Sequence, residues 1–195
     1  MKMLLTLVLS LTTLGAFAKA KPTAQVFKID PKVTTIDWLG KKVTGQHNGK
    51  ISIKSGSLTV NGDLITAGEI VVDMNSIVCE DITDKEYNTK FIGHMKSNDF
   101  FDTEKFPEAK LVIKNSKKTD KGLEVQGDLT MRGKTAPVTF LATVKAGSDY
   151  KASTTLVLDR TQWDLKYGSG KFFQGLGDKM IHDEFTLNID LTAKK

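Results

Sequence analysis

The chain predicts an all-β fold: an antiparallel sheet of eight or nine strands that curls into a barrel or splits into a sandwich, with one helix. Three observations predict it. Apolar residues alternate with polar ones over most of the chain, the pattern of strands with one wet face. Turn-forming residues punctuate these segments at short intervals, which favours a meander of hairpins. A single segment, Thr83 to Met95, carries apolar residues four apart instead of two.

Taken in order, Lys2, the apolar run Met3 to Leu14 and the small residues Ala16-Phe17-Ala18 resemble a secretory leader. This divides the chain into a leader over residues 1–18 and a domain over residues 19–195, and points to a periplasmic or secreted protein. The apolar run is too short to span a bilayer, and no later stretch is longer, so no transmembrane segment is expected.

The first strands are expected at Val26 to Ile29 and Val33 to Leu39, then around Ile51 and Ile53, and around Ile70, Val72 and Met74. The helix follows, with Tyr87, Phe91 and Met95 on one stripe and Thr83 and Glu86 spaced as a capping box. Leu111 to Lys114, the alternating run Leu123 to Met131, Val138 to Val144, Ser153 to Asp159 and Phe185 to Leu191 complete the set. Turns are expected at Asn48-Gly49, Asn61-Gly62-Asp63, Asp120-Lys121-Gly122, Arg132-Gly133-Lys134 and Ala146-Gly147-Ser148-Asp149. An antiparallel sheet of this size closes or doubles because open edges recruit other chains.

At 195 residues the chain supports one sizeable core. The formal net charge of +5 falls to +4 without Lys2, and the excess is scattered lysine, since Arg132 and Arg160 are the only arginines. Nucleic-acid surfaces cluster their cations and use forked arginine contacts, so that partner is disfavoured. Cys79 is the only cysteine, so no internal disulfide can form, and it reads as a small core residue.

No nucleophile elbow, His-Glu-x-x-His run, phosphate loop or complete dinucleotide fingerprint occurs. No cofactor is therefore called for. His47, His94 and His182 lack paired ligand spacing, and no metal site is expected. Asp178, His182, Asp183 and Glu184 form the best polar cluster, which leaves a metal-assisted hydrolase as an alternative. The aromatics gather in two stretches, Phe91 to Phe106 and Trp163 to Phe173. They fit either a solid core, as in a protein-interaction module, or the mouth of a barrel holding one small apolar ligand.

Several motifs resemble one family. Asn98-Asp99-Phe100-Phe101-Asp102 with Lys105-Phe106-Pro107 is similar to a signature of the YceI-like proteins, preceded by Gly93-His94-Met95-Lys96-Ser97. The run Gly127-Asp128-Leu129-Thr130-Met131-Arg132-Gly133-Lys134-Thr135-Ala136-Pro137-Val138 resembles the same family's hairpin. Asp73 to Ile77 and Asp159 to Trp163 add shorter matches. Lys90-Phe91-Ile92 stands where an arginine is common, and Lys166 to Phe173 resembles a glycine-rich subgroup.

The resemblance implies a lipocalin-like antiparallel barrel of eight or slightly more strands with one short α-helix, binding a polyisoprenoid in its channel. It implies a binder, with no reaction established for the family as a whole, and it admits pairing into a homodimer. The absence of a catalytic motif gives the expectation of no enzyme, and transient membrane contact is expected at most. Phe91, Met95, Phe100, Phe101, Phe106, Trp163, Phe172 and Phe173 are the expected ligand contacts. Lys90, His94, Lys96, Arg132 and Lys171 are the head-group candidates.

Overall fold

The alternating segments form antiparallel strands whose ladder returns to its starting point, giving an eight-stranded barrel with one helix. The computed structural model describes residues 23–195; the leader expected over residues 1–18 lies outside them. The strands are β1 Gln25–Ile29, β2 Thr35–Lys42, β3 Gly45–Asn61, β4 Leu64–Cys79, β5 Glu108–Thr119, β6 Gly122–Met131, β7 Lys134–Ala146, β8 Asp149–Asp159 and β9 Ile181–Lys194. The helix α1, Lys85–Lys96, sits between β4 and β5.

Around the ring the order is β3, β2, β9, β8, β7, β6, β5, β4 and back to β3. Nine strands make eight staves because β1 and β2 share one place between β3 and β9. β2 pairs with residues 45–50 of β3, and β1 pairs with residues 57–60. Register shifts along β3 and β4 supply the local bends that let these long strands wrap. The β7–β8 ladder stops at Thr143↔Ser153, so these two strands separate toward their helix ends.

Two sequence expectations are corrected. Asn48-Gly49 lies within β3 and is not a turn. A Cβ on Gly49 would lie 1.9 Å from the Val78 carbonyl oxygen, so glycine serves close strand approach there. The helix cap is Asp84, whose carboxylate accepts from the Tyr87 amide, and Thr83 stands one residue outside. Arg132 and Gly133 do form the expected tight turn, with positive φ at both positions suited to the twist of a hairpin.

The barrel has two unlike ends. At the hairpin end, Phe27, Leu58, Val60, Leu123, Val125 and Tyr150 belong to one buried cluster. At the other end, α1, the segment 97–107 and the segment 160–180 cover the opening, with two smaller buried clusters beneath them. No described helix is long and apolar enough to cross a membrane.

Candidate functional site

Inward direction follows from strand parity. Ile51, Val72, Leu111, Phe140 and Leu187 point inward at mid-height and touch both the hairpin-end and helix-end clusters, yet each is only partly buried. In a side-chain-filled barrel these positions would be the most buried of all. Their residual exposure leaves an apolar wall at mid-height that the protein's own side chains do not fully cover.

The helix end is built by local signals. After α1 the chain turns at Ser97, where the Asp102 amide donates to the Ser97 carbonyl at 2.8 Å and the Thr103 amide to the Lys96 carbonyl at 3.0 Å. This winding tucks Phe100 and Phe101 beneath the helix, with rings 5.4 Å apart at 67°. Phe101 and Met95 touch both helix-end clusters. Phe91 stacks near Trp38 at 6.4 Å, and the Trp38 indole N–H donates to the Val78 carbonyl. No residue of α1 is fully buried, so the helix is held by a shallow contact.

The expected ligand contacts therefore divide. Phe91, Met95, Phe100, Phe101 and Trp163 gather over the barrel opening. Trp163 is 0% exposed and donates its indole N–H to the Leu129 carbonyl at 2.9 Å, filling the place where β7 and β8 part. Phe106 packs instead on the β6–β7 turn at Gly133, with Lys105 over its ring. Phe172 and Phe173 stand on the loop after Trp163, 47% and 49% exposed, and join neither cluster.

The head-group candidates are mostly engaged. Lys90 pairs with Glu86 on the open side of α1, and Lys96 donates to the Asn75 carbonyl. Arg132 donates to the Asp164 and Asn98 carbonyls, fastening three segments together. His94 packs edge-on against Tyr167 at 4.5 Å and Phe100 at 5.9 Å. Lys171 bonds Asp159 at 2.7 Å and lies 3.4 Å from Asp183. Burial pushes the Asp159 carboxyl up, but Lys171 and Thr161 more than reverse this and hold it below its ordinary value.

Sequence reasoning missed Arg160 as a site residue. It is 3% exposed, donates to the carbonyls of His182, Leu165 and Ile181, and stacks over Phe100. Its remaining partner is Asp183 at 3.5 Å, which points into the barrel from β9. Burial draws the guanidinium down from its ordinary value against the pull of Asp183 and Asp159. An arginine directly after a strand, with an acidic residue at an inward position of the last strand, was the available signal. The wall residues were visible as strand pattern, but parity alone does not tell a lining from a plug.

The polar cluster expected near β9 is not assembled. His182 and Asp183 are strand neighbours on opposite faces, and Asp183 is held by Arg160. Burial, then the hydrogen bond to Asp81, pushes the Cys79 thiol up. A cleft of about 390 Å³ opens along the parted β7 and β8, lined by polar residues such as Lys121, Thr143, Ser153, Asn188 and Asp190 together with Leu141, Ala142 and Ile189. Its polar lining does not suit an apolar chain.

Comparison with known proteins agrees with this architecture. Residues 27–193 match the YceI-like domain model. A UPF0312 protein of Pseudomonas putida strain F1 is 46% identical over 76 residues, 34% of this chain and 40% of the relative. The UPF0312 protein VPA0850 of Vibrio parahaemolyticus is 37% identical over 108 residues, 53% of this chain and 56% of the relative. The chain thus matches roughly half or less of these relatives' own lengths.

Among solved structures, Burkholderia cenocepacia BcnA is similar with TM-score 0.65 and 21% identity, covering 85% of this chain and 99% of that one. A polyisoprenoid binding domain from Saccharophagus degradans is similar with TM-score 0.62 and 12% identity, covering 86% and 97%. At these identities the likeness speaks to fold. Because the family model spans all nine strands but the ends of the first and last, this chain belongs to the YceI-like family.

Proposed function

We propose that this protein binds a polyisoprenoid, or a similar long-chain amphiphilic lipid, with the tail inside the barrel and the head at the helix end. The leader-like N-terminus extends the proposal to carriage or sequestration in the periplasm. The observation that carries the reading is the inward apolar wall of Ile51, Val72, Leu111, Phe140 and Leu187, left partly exposed beneath a helix with no buried residue. The similar Saccharophagus domain, described as polyisoprenoid binding, supports the same ligand class.

The driving force is burial. A tail of about twenty carbons gains roughly 16 kcal/mol gross at about 0.8 kcal/mol per methylene-sized unit. Lost translation, rotation and ordering oppose this by about 4 to 15 kcal/mol. Net affinity therefore depends on a wall formed beforehand, which the strand ladders supply. The helix end provides a different chemistry for the head, with His94 and Lys171 at the rim of the aromatic cluster.

Mass spectrometry of lipid extracted from gently purified protein tests the reading. A co-purifying prenyl chain is the expected result. Protein that carries no lipid and binds no added polyprenol overturns it.

A further inference from the structure

A second convergence lies at the edge of the helix end, where Cys79 backs onto the small cluster around Trp38. His47 is near the start of β3, Cys79 is the last residue of β4, and Asp81 follows two residues later. The pairing Gly49↔Cys79 sets the two strand ends side by side, and the absent Cβ of Gly49 lets β4 settle onto β3. The Glu80 amide then donates to the Asn48 carbonyl at 2.9 Å, which folds Asp81 back over β3.

The side chains meet there. Asp81 Oδ2 lies 2.8 Å from His47 Nδ1, and Oδ1 accepts from the Asn48 amide at 2.9 Å and from Cys79 Sγ at 3.2 Å. One donor atom from each of the three residues falls within 4.8 Å of the other two. From α1, the Asn88 side-chain amide Nδ2 donates to the carbonyls of Cys79 and Ile82, both at 2.9 Å, so the segment carrying two of the donors is pinned from both sides. Among the described residues no other group of three such side chains converges in this way.

From this geometry we infer that His47, Cys79 and Asp81 form a binding site for a thiophilic divalent transition metal, with Zn²⁺ as the fitting class. A thiolate, an imidazole and a carboxylate are a donor set for zinc, whereas calcium and magnesium need all-oxygen shells. Thiolate and carboxylate together balance the charge of the ion, and the thiol proton leaves to solvent as the Sγ–metal bond forms. Ordinary bond lengths place tetrahedral zinc ligands about 3.3 to 3.6 Å apart, so the His47 and Asp81 donors at 2.8 Å must part slightly and the widest pair, within 4.8 Å, must close by about 1.5 Å or less.

Supporting partners are already in place. The Asn48 amide orients the Asp81 carboxylate, and Phe91 packs on the His47 ring at 4.8 Å. The thiol is buried, while the His47 and Asp81 side chains are 25% and 31% exposed, so the ion enters from the solvent side and retains an open fourth position. Bound metal would join β3 and β4 to the segment that leads into α1. Sequence spacing conceals the site, because His47 and Cys79 are brought together only by strand pairing.

Titration of the chelator-treated full chain with Co²⁺ alone, then Zn²⁺ alone, tests the inference. One equivalent of Co²⁺ should give tetrahedral absorption with a thiolate-to-cobalt charge-transfer band, displaced by one equivalent of Zn²⁺. Cys79→Ser should abolish that band, and His47→Gln and Asp81→Asn should each weaken binding at least about 100-fold, since even outer partners of metal ligands cost about 10- to 100-fold. Hydrogen exchange of residues 79–96 should slow on Zn²⁺ addition. Absence of the charge-transfer band in the parent protein overturns the site whether or not any variant folds. So does metal binding of equal strength in the parent and folded Cys79→Ser, which would place the ion on surface groups.

Discussion

The hairpin end and the helix end of this barrel are made from the same alternating strands, yet they differ in how they are closed. At the hairpin end the strands seal themselves: Phe27, Leu58, Leu123, Val125 and Tyr150 interlock. At the helix end closure is delegated to segments between strands, and α1 lies there with no fully buried residue. Burial of this kind makes the first end a foundation and the second an opening, because shallow contacts cost little to release. Tyr150 shows the price of the tight end: its hydroxyl is buried without a partner, and burial with nearby Asp63 pushes its pKa up to about 12.

The contrast can be broken most directly at the foundation. Leu123→Ala should destabilise the protein by about 2–5 kcal/mol, the usual cost of truncating a fully packed leucine, read as a lower denaturant midpoint. Lipid affinity per folded molecule should hold. A loss of affinity matching the loss of stability would mean the two ends are not separable.

Next in size is the opening itself. Phe101→Asp removes a ring shared by both helix-end clusters, and should weaken tail binding by about 10- to 100-fold, from the roughly 1.5–3 kcal/mol that burying such a side chain contributes. Phe173→Asp should leave binding nearly unchanged, because that ring is exposed and joins neither cluster. Equal effects of the two substitutions in a fluorescent-lipid displacement assay would show that the loop closes on the ligand.

Acid response sharpens the comparison further. Asp30 at the hairpin end is held below its ordinary 3.8 first by its bond to Lys194, and Asp164 at the helix end first by its bond to Lys134. A carboxyl with a lowered folded pKa binds protons more readily once unfolded. Its stabilisation is therefore complete above about pH 4 and disappears as pH falls through the lowered value. Both ends should loosen in that window, with amides of residues 164–180 exchanging before those of β1, since the former rest on few buried contacts. Uniform exchange would contradict this order.

The smallest effect is expected at Lys90→Ala. Its ammonium pairs with Glu86 one helical turn away in open solvent, and such exposed pairs contribute little. Lipid affinity and thermal midpoint should stay within error. A measurable loss of affinity would restore Lys90 as a head-group contact.

The strand pattern was legible because its period is local: Leu123, Val125, Leu129 and Met131 turn inward whatever they later meet. The helix was legible for the same reason, although Asp84 outcompeted Thr83 as its cap. Asn48-Gly49 misled because the dipeptide suits a turn and a close strand crossing equally well. Of the expected site, the aromatics around Phe100 and Phe101 were placed by their signature loop. Phe172 and Phe173 carry the same residue type in a loop that leaves them outside.

Sequence alone thus determined which faces are apolar, where most of the turns fall and which family motifs recur, since each depends on residues a few positions apart. Only the closed ring decided that β1 and β2 share a stave, that Ile51, Phe140 and Leu187 stay partly exposed at mid-height, and that Arg160 is buried against Asp183. It also decided that His47 and Asp81, 34 residues apart, come within 2.8 Å. These outcomes depend on register and closure across the whole barrel, and no short window of sequence contains that information.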